Sequence, residues 1–243
     1  MKDWKQAIWI ASFELKRSWR GVLSLLTIFI FYTYLILAMP FWVDKPGSGV
    51  SDVLFILLFT FVPSWCKPKS FQFQMINGSF QASPSMVMLT QLPIREKTII
   101  RSRMIVHFLF SFPIQFVSLL TMYLISSRFS WFNISPFTYL LFMVTWLSFG
   151  VYVGLGINSI EVGRMAKDKN KIHTLIGICF LIVVAVSIVS FPLLFPYSIV
   201  GGSMILIEQY PLIVTMTSIF LAILGINYWQ KKMEKSLKRM DYY

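Results

Sequence analysis

Charge is missing from most of this chain. Residues 21–43, 53–66, 104–127, 136–160 and 209–230 contain no Lys, Arg, Asp or Glu. A charged side chain at the centre of a bilayer costs about 2.5–3.5 kcal/mol on insertion scales, so spanning segments are emptied of such residues. Acidic residues are scarce throughout, ten against 22 basic, which leaves a net charge of +12. Cysteine is nearly absent. Cys66 and Cys179 give no disulfide framework and read as packing residues. The phosphate-cradling sequence G-x-x-x-x-G-K-[ST] does not occur, so the chain is not expected to hydrolyse nucleotide by itself. Nor is there an H-E-x-x-H pair to hold a catalytic zinc ion. The two histidines, His107 and His173, lie 66 positions apart near span ends and read as packed or interfacial side chains. Acidic residues at mid-span, which mark proton or sodium pathways, are also missing.

What remains is a set of apolar runs of about 20 residues, matched to a hydrocarbon core roughly 30 Å thick. The expected spans are 21–43, 50–66, 104–127, 136–158, 174–191 and 211–230, giving an all-α polytopic membrane protein. The second is the weakest, because Pro63 interrupts it and only 53–66 follows Asp52 without charge. The basic residues sort into alternate gaps. Lys2, Lys5, Lys16, Arg17 and Arg20 precede the first span. Lys67, Lys69, Arg95, Lys97, Arg101 and Arg103 follow the second. Arg164, Lys167, Lys169 and Lys171 follow the fourth, and Lys231, Lys232, Lys235, Lys238 and Arg239 follow the last. Only Lys45 and Arg128, of 22, fall on the other side. Basic loops stay cytoplasmic, so both termini are expected inside and the short second run is expected to cross, with Lys67 and Lys69 snorkelling to the inner interface. Positive charge beside apolar spans meets anionic headgroups, and a nucleic-acid partner is not expected. Seven of the eight tryptophans fall at or near span ends, as in an aromatic belt.

The segments between the spans carry their own patterns. Residues 1–20 repeat Trp4, Ala7, Ile8, Ala11, Leu15 and Trp19 at three- and four-residue spacing, which predicts an amphipathic helix in the interface plane. Within 67–103, Asn77-Gly78-Ser79 breaks the chain, and Ser83-Pro84 supplies an N-cap and a first-turn proline. A short helix with Met86 and Leu89 follows and stops at Leu92-Pro93, ahead of Ile94-Arg95-Glu96-Lys97. Residues 192–210 are too apolar for an exposed loop and too broken by Pro and Gly for a span, so they predict a re-entrant hairpin. Gly150 and Gly154, with Gly156, form a small-residue face for close helix packing. Residues 231–243 read as a basic cytoplasmic tail.

This chain resembles the permease subunits of ATP-binding-cassette exporters of the ABC-2 class. The resemblance rests on the N-terminal amphipathic helix, on Leu92-Pro93-Ile94-Arg95-Glu96-Lys97 ahead of the third span, and on the apolar hairpin before the last. At the start of the short helix Ala82-Ser83-Pro84-Ser85 replaces the family's usual Gly-Thr-Leu-Glu. The resemblance implies a multi-pass protein of the bacterial cytoplasmic membrane that carries no cofactor of its own. A partner ABC ATPase subunit would bind ATP and Mg and seat itself on Ser83, Pro84, Met86, Leu89, Leu92, Pro93, Arg95 and Glu96. A second copy or sister permease would complete the pathway, and spans without fixed charge imply an apolar or amphipathic cargo. The alternatives are a membrane-embedded binding or toxin-immunity protein, and the membrane subunit of an uptake system.

Overall fold

In the computed structural model the described residues are 2–17, 49–65, 67–68, 71–72, 74–76, 80–128, 135–165 and 198–238, with single positions at 23, 27, 30, 31, 34, 186 and 190. The expected spans 21–43 and 174–191 therefore lie outside them, apart from isolated positions, as does most of the basic stretch 164–171. The described residues are mostly helical. In chain order they form α1 (Lys2–Arg17), α2 (Gly49–Thr60), α3 (Val62–Trp65), β1 (Gln74–Ile76), β2 (Phe80–Ala82), α4 (Pro84–Thr90), α5 (Glu96–Arg128), α6 (Pro136–Glu161), β3 (Arg164–Met165), α7 (Ile199–Gln209) and α8 (Pro211–Leu237). Three helices, α5, α6 and α8, are long and apolar enough to cross a membrane.

Side-chain contacts fix the helix directions. Phe55 and Phe59 of α2 meet Trp146 of α6, with ring centroids 4.7 and 5.4 Å apart, and further along both segments Lys67 reaches Asn158 and Glu161. The α2–α3 segment therefore runs parallel to α6. Helix α5 runs the other way: the Tyr139 hydroxyl donates to the Leu119 carbonyl at 2.7 Å, while Gly150 faces Gln115 and Gly154 faces His107. Helix α8 is again parallel to α6, with Gly225 against Tyr152 and Gly156 against Trp229. These are the relative directions the basic residues predict for the second, third, fourth and sixth runs.

Pro63 explains the break between α2 and α3. A proline has no N–H, so the Phe59 carbonyl four residues earlier loses its helical donor. The Gln115 amide of α5 replaces it, donating to Phe59 O at 3.1 Å. Gly150 makes room for that amide, since a Cβ there would lie 2.6 Å from Gln115 Oε1.

The sheet was not expected. Strands β1 and β2 pair antiparallel (Gln74↔Ala82, Ile76↔Phe80), and β3 joins β2 through Phe80↔Met165 and Gln81↔Arg164. Asn77-Gly78 between β1 and β2 is the residue pair that favours tight hairpins. Gly163, at φ 131°, ends α6 in the left-handed region and turns the chain into β3. The all-α expectation is corrected to that extent. Two helices also run past their expected ends. Helix α5 begins at Glu96, and α8 continues to Leu237, so 231–237 is helix rather than loose tail. Of residues 192–210 only 198–210 are described, and the expected hairpin otherwise lies outside the described residues. Within them is the helix α7, which runs through Gly201-Gly202 instead of breaking there.

Two apolar clusters hold the fold. The larger joins α2, α5 and α6 around Phe55, Phe59, Phe110, Phe142 and Trp146, with Ile207 of α7. The smaller lies at the end where α6 and α8 finish, called here the basic end. It gathers Ile10, Met86, Leu89, Ile99, Ile100, Val162, Met233 and Leu237 from four helices and the turn after α6. At the far end the buried Asp52 carboxylate accepts from Ile199 N at 2.5 Å and Val200 N at 3.1 Å, capping α7 with negative charge at its positive dipole end.

Candidate functional site

The basic end brings the expected coupling residues together with α1. Ser83 precedes Pro84, which occupies the first turn of α4, as the sequence predicts; the Ser83 side chain makes no capping hydrogen bond to the helix. Its N–H donates to Glu161 O at 3.3 Å, which ties α4 to the end of α6. Leu92, Pro93, Arg95 and Glu96 are exposed on the turn between α4 and α5, beside exposed Met88. Arg95 reaches Asp3 of α1 at 3.5 Å. Met86 and Leu89 do something else. Both are buried in the chain's own smaller cluster, so neither is free to enter a partner's socket. The expectation that they dock is corrected, and the outward surface belongs to Met88 and the Leu92–Glu96 turn.

Beneath that turn lies a buried polar layer. Arg103 of α5 forms an ion pair with Glu14 of α1 and donates to Ser85 Oγ of α4 at 2.9 Å. One side chain thus ties three helices. Lys67, after α3, donates to Glu161 Oε2 at 2.6 Å and approaches Asn158 Oδ1 at 3.4 Å. It is 3% exposed, so it does not snorkel; it turns inward and pairs. Burial pushes the Lys67 ammonium below its ordinary pKa, and the adjoining Glu161 carboxylate opposes that shift. Two cations and two anions balance the layer, as low-dielectric burial of charge requires.

Above this layer α5 continues its polar stripe inward. Arg103, His107, Ser111 and Gln115 recur every fourth residue, with Ser118 next, and all are buried. Two of them face glycines of α6, Gln115 against Gly150 and His107 against Gly154. Neither His107 nitrogen has a hydrogen-bond partner among the described residues. The polar repeat was visible in the sequence as Arg, His, Ser and Gln at i+4 spacing. The pairings Glu14–Arg103 and Lys67–Glu161 were not, because their partners lie 89 and 94 positions apart.

Helix α1 is set differently from the expected stripe. Ala7, Ile10 and Ala11 are buried, while Ile8, Trp9 and Phe13 point outward. Trp4 carries the Arg101 guanidinium 4.7 Å over its ring. Among the described residues no group of three His, Cys, Asp or Glu side chains is placed to hold a metal ion. Compared with protein families, characterised proteins and solved structures, the chain finds no match.

Proposed function

We propose that this chain is the six-span permease subunit of an ATP-driven ABC-2 class exporter, with both termini cytoplasmic and a separate ATPase as its motor. The observation that carries the reading is the mechanical linkage at the basic end. The exposed Leu92–Glu96 turn leads straight into the long helix α5, while Arg103 fastens α5 to α4 and α1. A push on the turn therefore reaches the bundle through covalent helix and buried ion pairs rather than through a flexible loop. Placement of 20 of 22 basic residues on the same side as that turn supports a cytoplasmic motor. The re-entrant hairpin is proposed with α7 as its returning limb, capped by Asp52. Spans without fixed charge suit a hydrophobic peptide, lipid-like molecule or amphiphilic antibiotic as cargo, moved by alternating access.

The test is copurification. The tagged chain, extracted in mild detergent from its host, is expected to bring down a nucleotide-binding subunit and to show ATPase activity only with it. Met88→Asp combined with Leu92→Asp is expected to abolish that association, since both side chains are exposed and their loss spares the core. Retention of an ATPase by the double variant would move the docking surface elsewhere. If no ATPase copurifies and a toxin peptide does, the protein is an immunity or binding protein.

A further inference from the structure

Between α5, α6 and α8 lies a crevice of 540 Å³, within the range of about 300–1,000 Å³ typical of small-ligand sites. Its walls are apolar, among them Met104, Phe108, Leu147, Val151, Ile223 and Ile226. Two features break that uniformity. His107, 2% exposed and with neither nitrogen partnered among the described residues, lines the crevice. A buried polar group without a partner is costly, and it marks a place where a ligand can supply one. The second feature is the Trp4 edge, where Arg101 lies over the Trp4 ring. Arg101 has no carboxylate within ion-pair distance among the described residues, whereas buried Arg103 and Lys67 each have one.

We propose that this crevice is a binding site for a single-chain anionic amphiphile, specifically a long-chain fatty acid. The acyl chain lies between α5, α6 and α8. The carboxylate sits toward the Trp4 edge, where Arg101 supplies positive charge, and His107 offers a further polar contact on the wall beyond it. From Met104 to Phe112 along α5 the lining extends about 12 Å at 1.5 Å per residue, room for much of one extended chain. The site lies within one protomer. Its occupancy needs neither an ATPase nor a second permease, so it stands apart from the proposed transport reading.

The experiment uses the purified full chain in phosphatidylcholine nanodiscs with a photoactivatable palmitate. Saturable labelling is expected on the peptides carrying Met104–Phe112 and Ile219–Ile226. Oleate should compete at least tenfold better than methyl oleate. Arg101→Gln should reduce labelling about fivefold or more, and Val151→Phe, which fills the crevice, should do the same. Leu224→Phe on the outward side of α8 should leave it unchanged. Labelling that does not saturate and spreads over outward α8 would show ordinary bilayer contact and overturn the proposal. Equal competition by methyl oleate would remove the anionic head group from it. Competition by phosphatidylglycerol in the disc as strong as by oleate would assign the crevice to a membrane phospholipid and overturn the fatty-acid identity. The competition arms use the unmodified protein, so they decide the matter even if a variant misfolds.

Discussion

Helices α5 and α8 have nearly the same mean hydropathy, 1.7 and 1.8, yet 44% of the apolar window is buried in α5 and only 17% in α8. Hydropathy identifies what can enter a bilayer and says little about what lies inside the bundle. Polar residues decide that. Helix α5 carries Arg103, His107, Ser111, Gln115 and Ser118 along one side, and these must face protein because lipid offers them no partner. Helix α8 instead exposes Leu212, Ile213, Met216, Phe220 and Leu224, side chains that lipid solvates as well as protein does. On α5 the polar stripe marks the side that turns inward.

Removing one member of a buried pair should test that contrast most severely. Glu161→Gln leaves the buried Lys67 ammonium without its counter-charge and is expected to destabilise by about 3–5 kcal/mol, read as loss of folded protein on heating in detergent. The double variant Lys67→Met with Glu161→Leu should recover most of that loss. No recovery would mean that the pair does more than balance charge.

The next test adds bulk at the polar seam. Gly154→Leu would drive a side chain into the His107 ring, with an expected cost of about 1–3 kcal/mol or more. The same measurement on Gly201→Ala, where the nearest atom to an added Cβ is the Ser198 hydroxyl at 3.3 Å, should give a much smaller change. Equal losses at both sites would mean that the seam is no tighter than α7.

Gln115→Leu should cost about 1–3 kcal/mol by leaving the Phe59 carbonyl unpaired. In a Pro63→Ala background that carbonyl regains a helical donor, so the cost of Gln115→Leu should shrink. Additive losses in the double variant would separate the two residues and refute the repair.

The smallest effect belongs to α8. Leu212→Ala or Phe220→Ala should shift stability by no more than about 0.5 kcal/mol, as for surface sites elsewhere. A large loss accompanied by a change in oligomeric state would show that a second protomer covers this side.

Much of the plan was legible in advance, and the reasons differ by element. Charge sorting gave the relative directions of the described segments α2–α3, α5, α6 and α8 because direction is written in composition at the ends of each run. Ser83 and Pro84 gave the start of α4 because backbone chemistry at a helix N-terminus is local. The small sheet was missed although Asn77-Gly78 signals a hairpin, because strands of two or three residues leave almost no periodicity to read. Met86 and Leu89 were assigned outward since an apolar side chain on a short helix looks the same whether its partner is another protein or Met233 of its own chain. Lys67 was expected to reach water because its partner Glu161 lies 94 positions away, and nothing local distinguishes a snorkelling lysine from a paired one.

The smaller cluster also carries a consequence for biosynthesis. Ile10 and Met86 are made early, yet the apolar neighbours that share their cluster include Met233 and Leu237, made more than 140 residues later. During synthesis at about 5–20 residues per second the basic end must wait, partly open, for several seconds or longer before its last helix arrives. Its apolar side chains, Met86 among them, are then a temporary liability. Closure of this end is therefore the late step of assembly, whichever span enters the bilayer first.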